Sequence, residues 1–365
     1  MKNKSINEAE QNAGMQAGTI NGPVTLNIHQ GLTEEQVRNL IETVLEEKIS
    51  KYRLEALEVA KLREESLTSR LVGLLLRDPA KWERDEFRRV LSDPSMQADF
   101  NTAYEGYIKY GGDDLLNNLA DLLDKRMNQP SRSLLQITLS EAIRVCPLLG
   151  KKHFAFLALV FITTKAKLLN IPNKTVLYAV FGSILCSLYE ACKTLSRGDI
   201  EHLIYAGCGI RSAFSGGGIC DRVRADYPEA LLVPQKIDSF SKDASGLTTY
   251  EKVPGCFRRY GDQIGIVPCT KEVVKAEAER VKASAETITA LLAEYDREVM
   301  SVDALRADLC KVFPFWKEFE DFYDKNGFSS FELTSVGIVL GGVCAKRLTS
   351  IDSDLSIWID DTVLV

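Results

Sequence analysis

The chain has 365 residues, is 45% hydrophobic and 26% charged, and carries a formal net charge of −6 at pH 7. That length admits two domains or one large helical body with appendages, and the mild acidity excludes the global basic face of a dedicated nucleic-acid binder. Nine cysteines without paired spacing, and a start, MKNKSINEAEQ, with no apolar run behind its lysines, argue against a disulfide scaffold and a secretory leader. They point to a reducing, cytoplasmic setting.

After a polar tail, Gly14 to Gly31 runs GMQAGTINGPVTLNIHQG. Val24, Leu26 and Ile28 alternate with Thr25, Asn27 and His29, and Asn21-Gly22 supplies a turn. The spacing predicts a short N-terminal β-hairpin over 18–20 and 24–29. A lone hairpin is marginal in water. It is therefore expected to pair with the body, another chain or a stack of copies, which makes Val24, Leu26 and Ile28 candidate oligomerisation residues. Thr33 and Gln36 then form a capping-box pattern, with Glu34 and Glu35 at the positive end of a long helix reaching toward Leu76. Val37, Leu40 and Val44, with Ile41 and Leu45, lie along one apolar face of it. That face packs either inside the chain's own bundle or on another subunit, so Val37, Leu40 and Val44 join the oligomerisation candidates.

Shorter helices are predicted over 78–91, 94–110 and 113–127, separated by Asp93-Pro94, Gly111-Gly112 and Gln129-Pro130. Short connections suggest antiparallel helix packing. The centre of the chain is His153 to Cys208, where Phe154–Thr164 and Thr175–Tyr189 are both without charge. Apolar residues all round a helix predict burial all round, so these two segments form a core hairpin. Each falls short of the roughly 20 residues that span a bilayer core, so membrane contact is expected only conditionally.

A short helix follows from Gly198, then a long irregular or β-containing excursion over 228–268, of the length that is usually functional or mobile. One helix is predicted over 270–301. Helices over 313–326 and 335–347, then a strand through Leu355, Ile357 and Ile359, make a small α+β end resembling half of a winged helix. Ser335 to Arg347 lacks the base-reading side chains that groove contact needs, and it is expected to be buried.

Chemistry-bearing motifs are sparse. Three histidines and the wide spacings Cys186–Cys192 and His202–Cys208 do not make a metal constellation. A Cys208–His202 nucleophile pair is conceivable, since a thiolate needs a nearby base; the alternative is a buried thiol beside a capping histidine. Ser212 to Arg222, SAFSGGGICDR, lacks the Gly-Lys-Ser/Thr ending of a phosphate-cradling loop. Arg222 and Arg224 with Arg258 and Arg259 are candidate anion-binding residues from composition. No catalytic residue, metal or cofactor is assigned.

AGTINGPVTLNIHQG followed by LTEEQVRNLIETVLEEKISKYRLEALEVAKLREE, then EHLIYAGCG and FELTSVGIVLGGVCAKR through LSIWI, resemble the blocks of a family of uncharacterised bacterial proteins. Those proteins join a Gly/Asn-rich β-forming lead to a long helix and a helical body. The lead is also similar to short assembly motifs of bacterial immune signalling proteins. The resemblance implies no activity and transfers no catalytic residue.

The expected fold is mainly α: a multi-helix bundle with a short N-terminal β-hairpin and the small α+β end. Its expected stretches are 1–31, 32–150, 151–310 and 311–365. The expected function is non-enzymatic: a self-assembling interaction protein, sensor or adaptor in bacterial defence, forming a homo-oligomer and engaging a protein partner but no nucleic acid. The alternatives are a conditional membrane-acting toxic effector and, third, a hydrolase or nuclease with a site near 202–268.

Overall fold

The computed structural model describes residues 33–77, 84–129, 132–169, 171–213, 217–242 and 244–359. The hairpin expected over 18–29, with Val24, Leu26 and Ile28, lies outside them. The fold is mainly α, with two small antiparallel sheets.

Helix α1, Glu34–Leu75, begins at the expected capping box. Gln36 N–H donates to Thr33 Oγ1 at 3.3 Å and Thr33 N–H to Gln36 Oε1 at 3.0 Å, which satisfies two of the donors that a helix start leaves unpaired. The chain divides into two units within this helix, at Val59–Ala60. Before Ala60 no side chain of α1 is buried; after it, Leu67 and Leu71 enter the core.

In the second unit come α2 (Arg84–Leu91), α3 (Pro94–Tyr110), α4 (Asp113–Met127), α5 (Leu134–Val145), α6 (Lys151–Thr164), α7 (Lys174–Cys192) and α8 (Arg197–Tyr205). Helices α3, α4 and α5 pack on one another and share a buried polar staple. Arg126 Nε donates to Asp99 Oδ2 at 2.8 Å, Nη1 to the Gln129 carbonyl at 3.1 Å and Nη2 to Ser95 Oγ at 2.7 Å. Ser140 Oγ donates to the same Asp99 oxygen at 2.8 Å. A charge pair this deep is tolerated because its hydrogen-bonding capacity is met.

Strand β1 (Gly209–Arg211) and α9 (Ile219–Asp226) lead into the excursion, which holds β2 (Gln235–Lys236), α10 (Thr249–Lys252), β3 (Phe257–Tyr260) and β4 (Gln263–Ile266). The three strands form one antiparallel sheet in the order β2-β4-β3. The single helix expected over 270–301 is two, α11 (Lys271–Arg280) and α12 (Ala285–Glu298). Lys282 adopts φ 55 between them, and Ser284 restarts the helix by accepting Thr287 N–H at 3.3 Å.

Helices α13 (Val302–Val312) and α14 (Trp316–Lys325), strand β5 (Phe331–Leu333), then α15 (Ser335–Thr349) and α16 (Ser356–Ile359) complete the described residues. The half-winged-helix order is corrected: β5 precedes α15, and in place of the strand expected through Leu355, Ile357 and Ile359 a turn at Leu355 leads into a short helix holding Ile357 and Ile359. Asp354 starts that turn by accepting Ser356 N–H at 3.0 Å and its hydroxyl at 2.7 Å. Strand β5 pairs with β1, Gly209 opposite Leu333 and Arg211 opposite Phe331, so residues on both sides of position 311 share one sheet.

The core is α6 crossed by α15. His153 to Thr163 are all buried, and so are Gly337 to Ala345, as the sequence of both segments predicts. Glycine is required where they meet: a Cβ on Gly341 would stand 2.7 Å from the Leu157 carbonyl oxygen. Helix α7 departs from the expectation. Leu177, Phe181, Leu185 and Leu188 are buried, whereas Ala179, Val180, Ser183 and Ser187 are exposed. Of the two uncharged segments of the expected hairpin, burial on every side therefore holds for α6 and not for α7.

Candidate functional site

At the seam of α1, α4, α5 and α15 lies a cleft of about 610 Å³. Its aliphatic floor is Leu74, Leu135, Leu139 and Val343, and Arg70, Arg77, Lys125, Lys346 and Arg347 line it beside Asp121, Asp124 and Asp354. Helices α4 and α15 end here. The negative end of a helix dipole favours cations in its last turn, which accounts for Lys125, Lys346 and Arg347. These three also have partners: Lys346 Nζ lies 2.6 Å and Lys125 Nζ 3.9 Å from the Asp352 carboxylate, and Arg347 Nη1 donates to the Asp114 carbonyl at 3.1 Å.

Arg70 and Asp121 differ. Among the described residues Arg70 Nε is buried with no hydrogen-bond partner. Burial raises the Asp121 carboxyl above its ordinary pKa, and the positive charges of Arg70 and Arg347 only partly oppose it. Among the described residues these two side chains face one space without forming an ion pair.

The second feature is the exposed part of α1. Leu40 is 48% exposed, Ile41 49%, Leu45 51% and Ile49 56%; Val44 is exposed too, and Val37 is half-buried. Single exposed apolar residues are ordinary, but successive turns of one helix carrying them form a patch of the kind that marks an interaction surface.

The four candidate arginines have separate surroundings. Arg222 reaches the Thr163 carbonyl at 3.5 Å through Nη1, and its Nε is buried without a partner. Arg224 donates from Nε to the Met300 carbonyl at 2.9 Å. Both brace α9 against neighbouring backbone. Arg258 and Arg259 are exposed on β3, an edge strand, with Arg259 Nε bonded to the Gly261 carbonyl at 3.1 Å.

His202 and Cys208 do not form a nucleophile pair. The His202 ring nitrogen bonds the Leu148 carbonyl at 2.9 Å, and burial pushes the Cys208 thiol up to about 12, so it holds its proton. A neighbouring cluster contains serine, histidine and aspartate but not in a relay. His153 Nδ1 accepts Gly150 N–H at 3.0 Å, leaving Nε2 to donate to Asp199 Oδ1 at 3.1 Å. The Ser196 hydroxyl donates to Asp199 at 2.7 Å, so the carboxylate stands between serine and histidine, where a relay requires the histidine. Burial works to raise the Asp199 pKa, yet hydrogen bonds from Lys152, Ser196 and His153 outweigh it and hold the group well below the carboxylate range. The cluster caps α8 and ties it to α6.

No group of three or more His, Cys, Asp or Glu among the described residues is placed to hold a metal ion. The cleft had no signal in the sequence beyond cations near helix ends, because its walls come from positions as distant as 70, 121 and 347.

A family model of uncharacterised type matches residues 31–359. No curated protein and no solved structure matches the chain.

Proposed function

The chain belongs to the uncharacterised family whose model spans residues 31–359, and we propose that it is a self-associating interaction protein whose α1 pairs with the α1 of a second copy. The observation that carries this is the first part of α1, where Leu40, Ile41, Val44, Leu45, Ile49 and Tyr52 are exposed and no side chain is buried. Covering one such aliphatic side chain is worth about 1.5–3 kcal/mol. Charge order supplies the partner's identity: Glu42, Glu46 and Glu47 precede Lys48, Lys51 and Arg53. An antiparallel copy aligned about 47–48 sets Glu47 against Lys48 and Glu42 against Arg53, and complementary charge fixes register.

The self-associated protein serves as a sensor or adaptor in the cytoplasm of a bacterium, in defence. All nine cysteines are free thiols, which suits a reducing compartment, and the resemblance of the lead to immune assembly motifs supplies the defence setting. Val24, Leu26 and Ile28 add a second contact between copies, and a further protein partner completes the adaptor role.

The test is charge exchange followed by sedimentation velocity. Glu42→Lys/Glu47→Lys and Lys48→Glu/Arg53→Glu should each be monomeric alone, and a mixture of the two should restore the dimer. Failure of the mixture to associate while wild type does would eliminate antiparallel α1 pairing.

A membrane-acting effector is the second reading. Helix α7 is long and apolar enough to cross a membrane by length and composition, although Leu177, Phe181, Leu185 and Leu188 are already buried in the body. Dye leakage from anionic liposomes that is abolished by Val180→Asp would favour it. A hydrolase or nuclease near 202–268 draws no support from His202 and Cys208, which engage other groups.

A further inference from the structure

Helix ends and their partners account for most of the charge in the cleft below α1, but not for Arg70 and Asp121. Among the described residues Arg70 Nε is an unmet, buried donor, and Asp121 is a half-buried acceptor in the same lining. A guanidinium and a carboxylate that share a cavity without joining are complementary to a ligand with an anionic group and a nearby hydrogen-bond donor. Five cationic side chains line the cleft against three carboxylates, and with Asp352 beside Lys125 and Lys346 one positive charge is left over, which favours an anionic group. The planar fork of arginine suits phosphate oxygens, and a dianion gains more than a carboxylate from the surrounding lysines and arginines. A cavity of about 610 Å³ holds far more than an inorganic ion, and Leu74, Leu135, Leu139 and Val343 offer an apolar floor for the ligand's carbon skeleton.

From this juxtaposition we infer that the cleft binds a phosphomonoester bearing a neighbouring hydroxyl, with the phosphate at Arg70 and Arg347 and the hydroxyl donating to Asp121. Two sources share that chemistry, a sugar phosphate and a nucleoside monophosphate. The site is separate from the exposed face of α1 and does not depend on self-association.

The experiment is isothermal titration calorimetry of the full chain at low salt with ribose 5-phosphate, adenosine 5′-monophosphate and inorganic phosphate. At least one organic phosphate should saturate the protein, with inorganic phosphate tenfold or more weaker. Tighter binding of the nucleotide identifies a nucleoside source, and equal binding a sugar phosphate. Arg70→Gln and Asp121→Asn should each weaken binding at least tenfold, while Lys275→Gln, an exposed residue outside the cleft lining, should leave it unchanged. Thermal melting checks folding. If Arg70→Gln melts early, Arg70→Lys decides: it keeps the charge, loses the fork, and should still weaken binding severalfold. No binding of either organic phosphate, or binding indifferent to both Arg70→Lys and Asp121→Asn, would overturn the inference.

Discussion

Asp99 and Arg126 show how this protein buries charge without loss. The guanidinium is bonded to Asp99, Ser95 and the Gln129 carbonyl, and Ser140 completes the carboxylate's shell. Removing one partner strands the other charge in the core. Asp99→Ala is expected to cost about 3–5 kcal/mol, read as a lower urea midpoint with an unchanged slope. Glu298 is the opposite case. One oxygen accepts Ile266 N–H at 2.8 Å, the other is buried without a partner, and burial pushes its pKa up to about 7 from 4.5. Between those values the folded chain holds a proton that the unfolded chain has released. Stability from this group therefore falls as pH rises from about 4.5 to 7, by roughly 3 kcal/mol in total. Glu298→Gln should abolish that slope, measured as urea midpoints at pH 5 and pH 8. Asp199 runs the other way: its depressed pKa adds stability above the ordinary carboxylate range, lost as pH falls through and below it.

The α6–α15 crossing turns a helix-propensity argument upside down. In an exposed helix, replacing glycine by alanine gains about 1 kcal/mol. At Gly341 the added methyl would meet the Leu157 carbonyl at 2.7 Å and the Phe161 Cβ at 2.9 Å. Gly341→Ala should therefore destabilise by about 1–3 kcal/mol, seen as a lower melting temperature, whereas exposed Gly73, with open space around it, should gain from the same change. Elements of this kind were legible because their signals are local. The Thr33–Gln36 box, the proline and glycine breaks around α3 and α4, and the uncharged runs of α6 and α15 all announced themselves. The break at Lys282 did not, since no glycine or proline marks it and Ser284 lies inside a run rich in alanine, glutamate and lysine. The end of the chain misled for a related reason: Leu355, Ile357 and Ile359 alternate like a strand, but Asp354 caps a turn that rotates them. The β1–β5 pair and the cleft were invisible, because both join residues far apart in sequence.

At the scale of the whole molecule, two surfaces carry the functional reading. One is the cleft lined by Arg70 and Asp121; the other is the row of exposed aliphatic side chains on α1 before Ala60. The first was absent from the sequence pattern. The second was written in it as Val37, Leu40 and Val44, although sequence alone favoured an internal bundle helix. The chain's net charge of −6 is too small to keep copies apart at physiological salt, where screening acts within about 8 Å. In the proposed dimer, association is therefore set by local pairing along α1. Light-scattering mass of the intact chain beside Leu40→Glu/Val44→Glu tests this most directly. A defined oligomer for the intact chain and a monomer of unchanged melting temperature for the variant is the expected result; a monomer in both, or an oligomer untouched by the two glutamates, would contradict it.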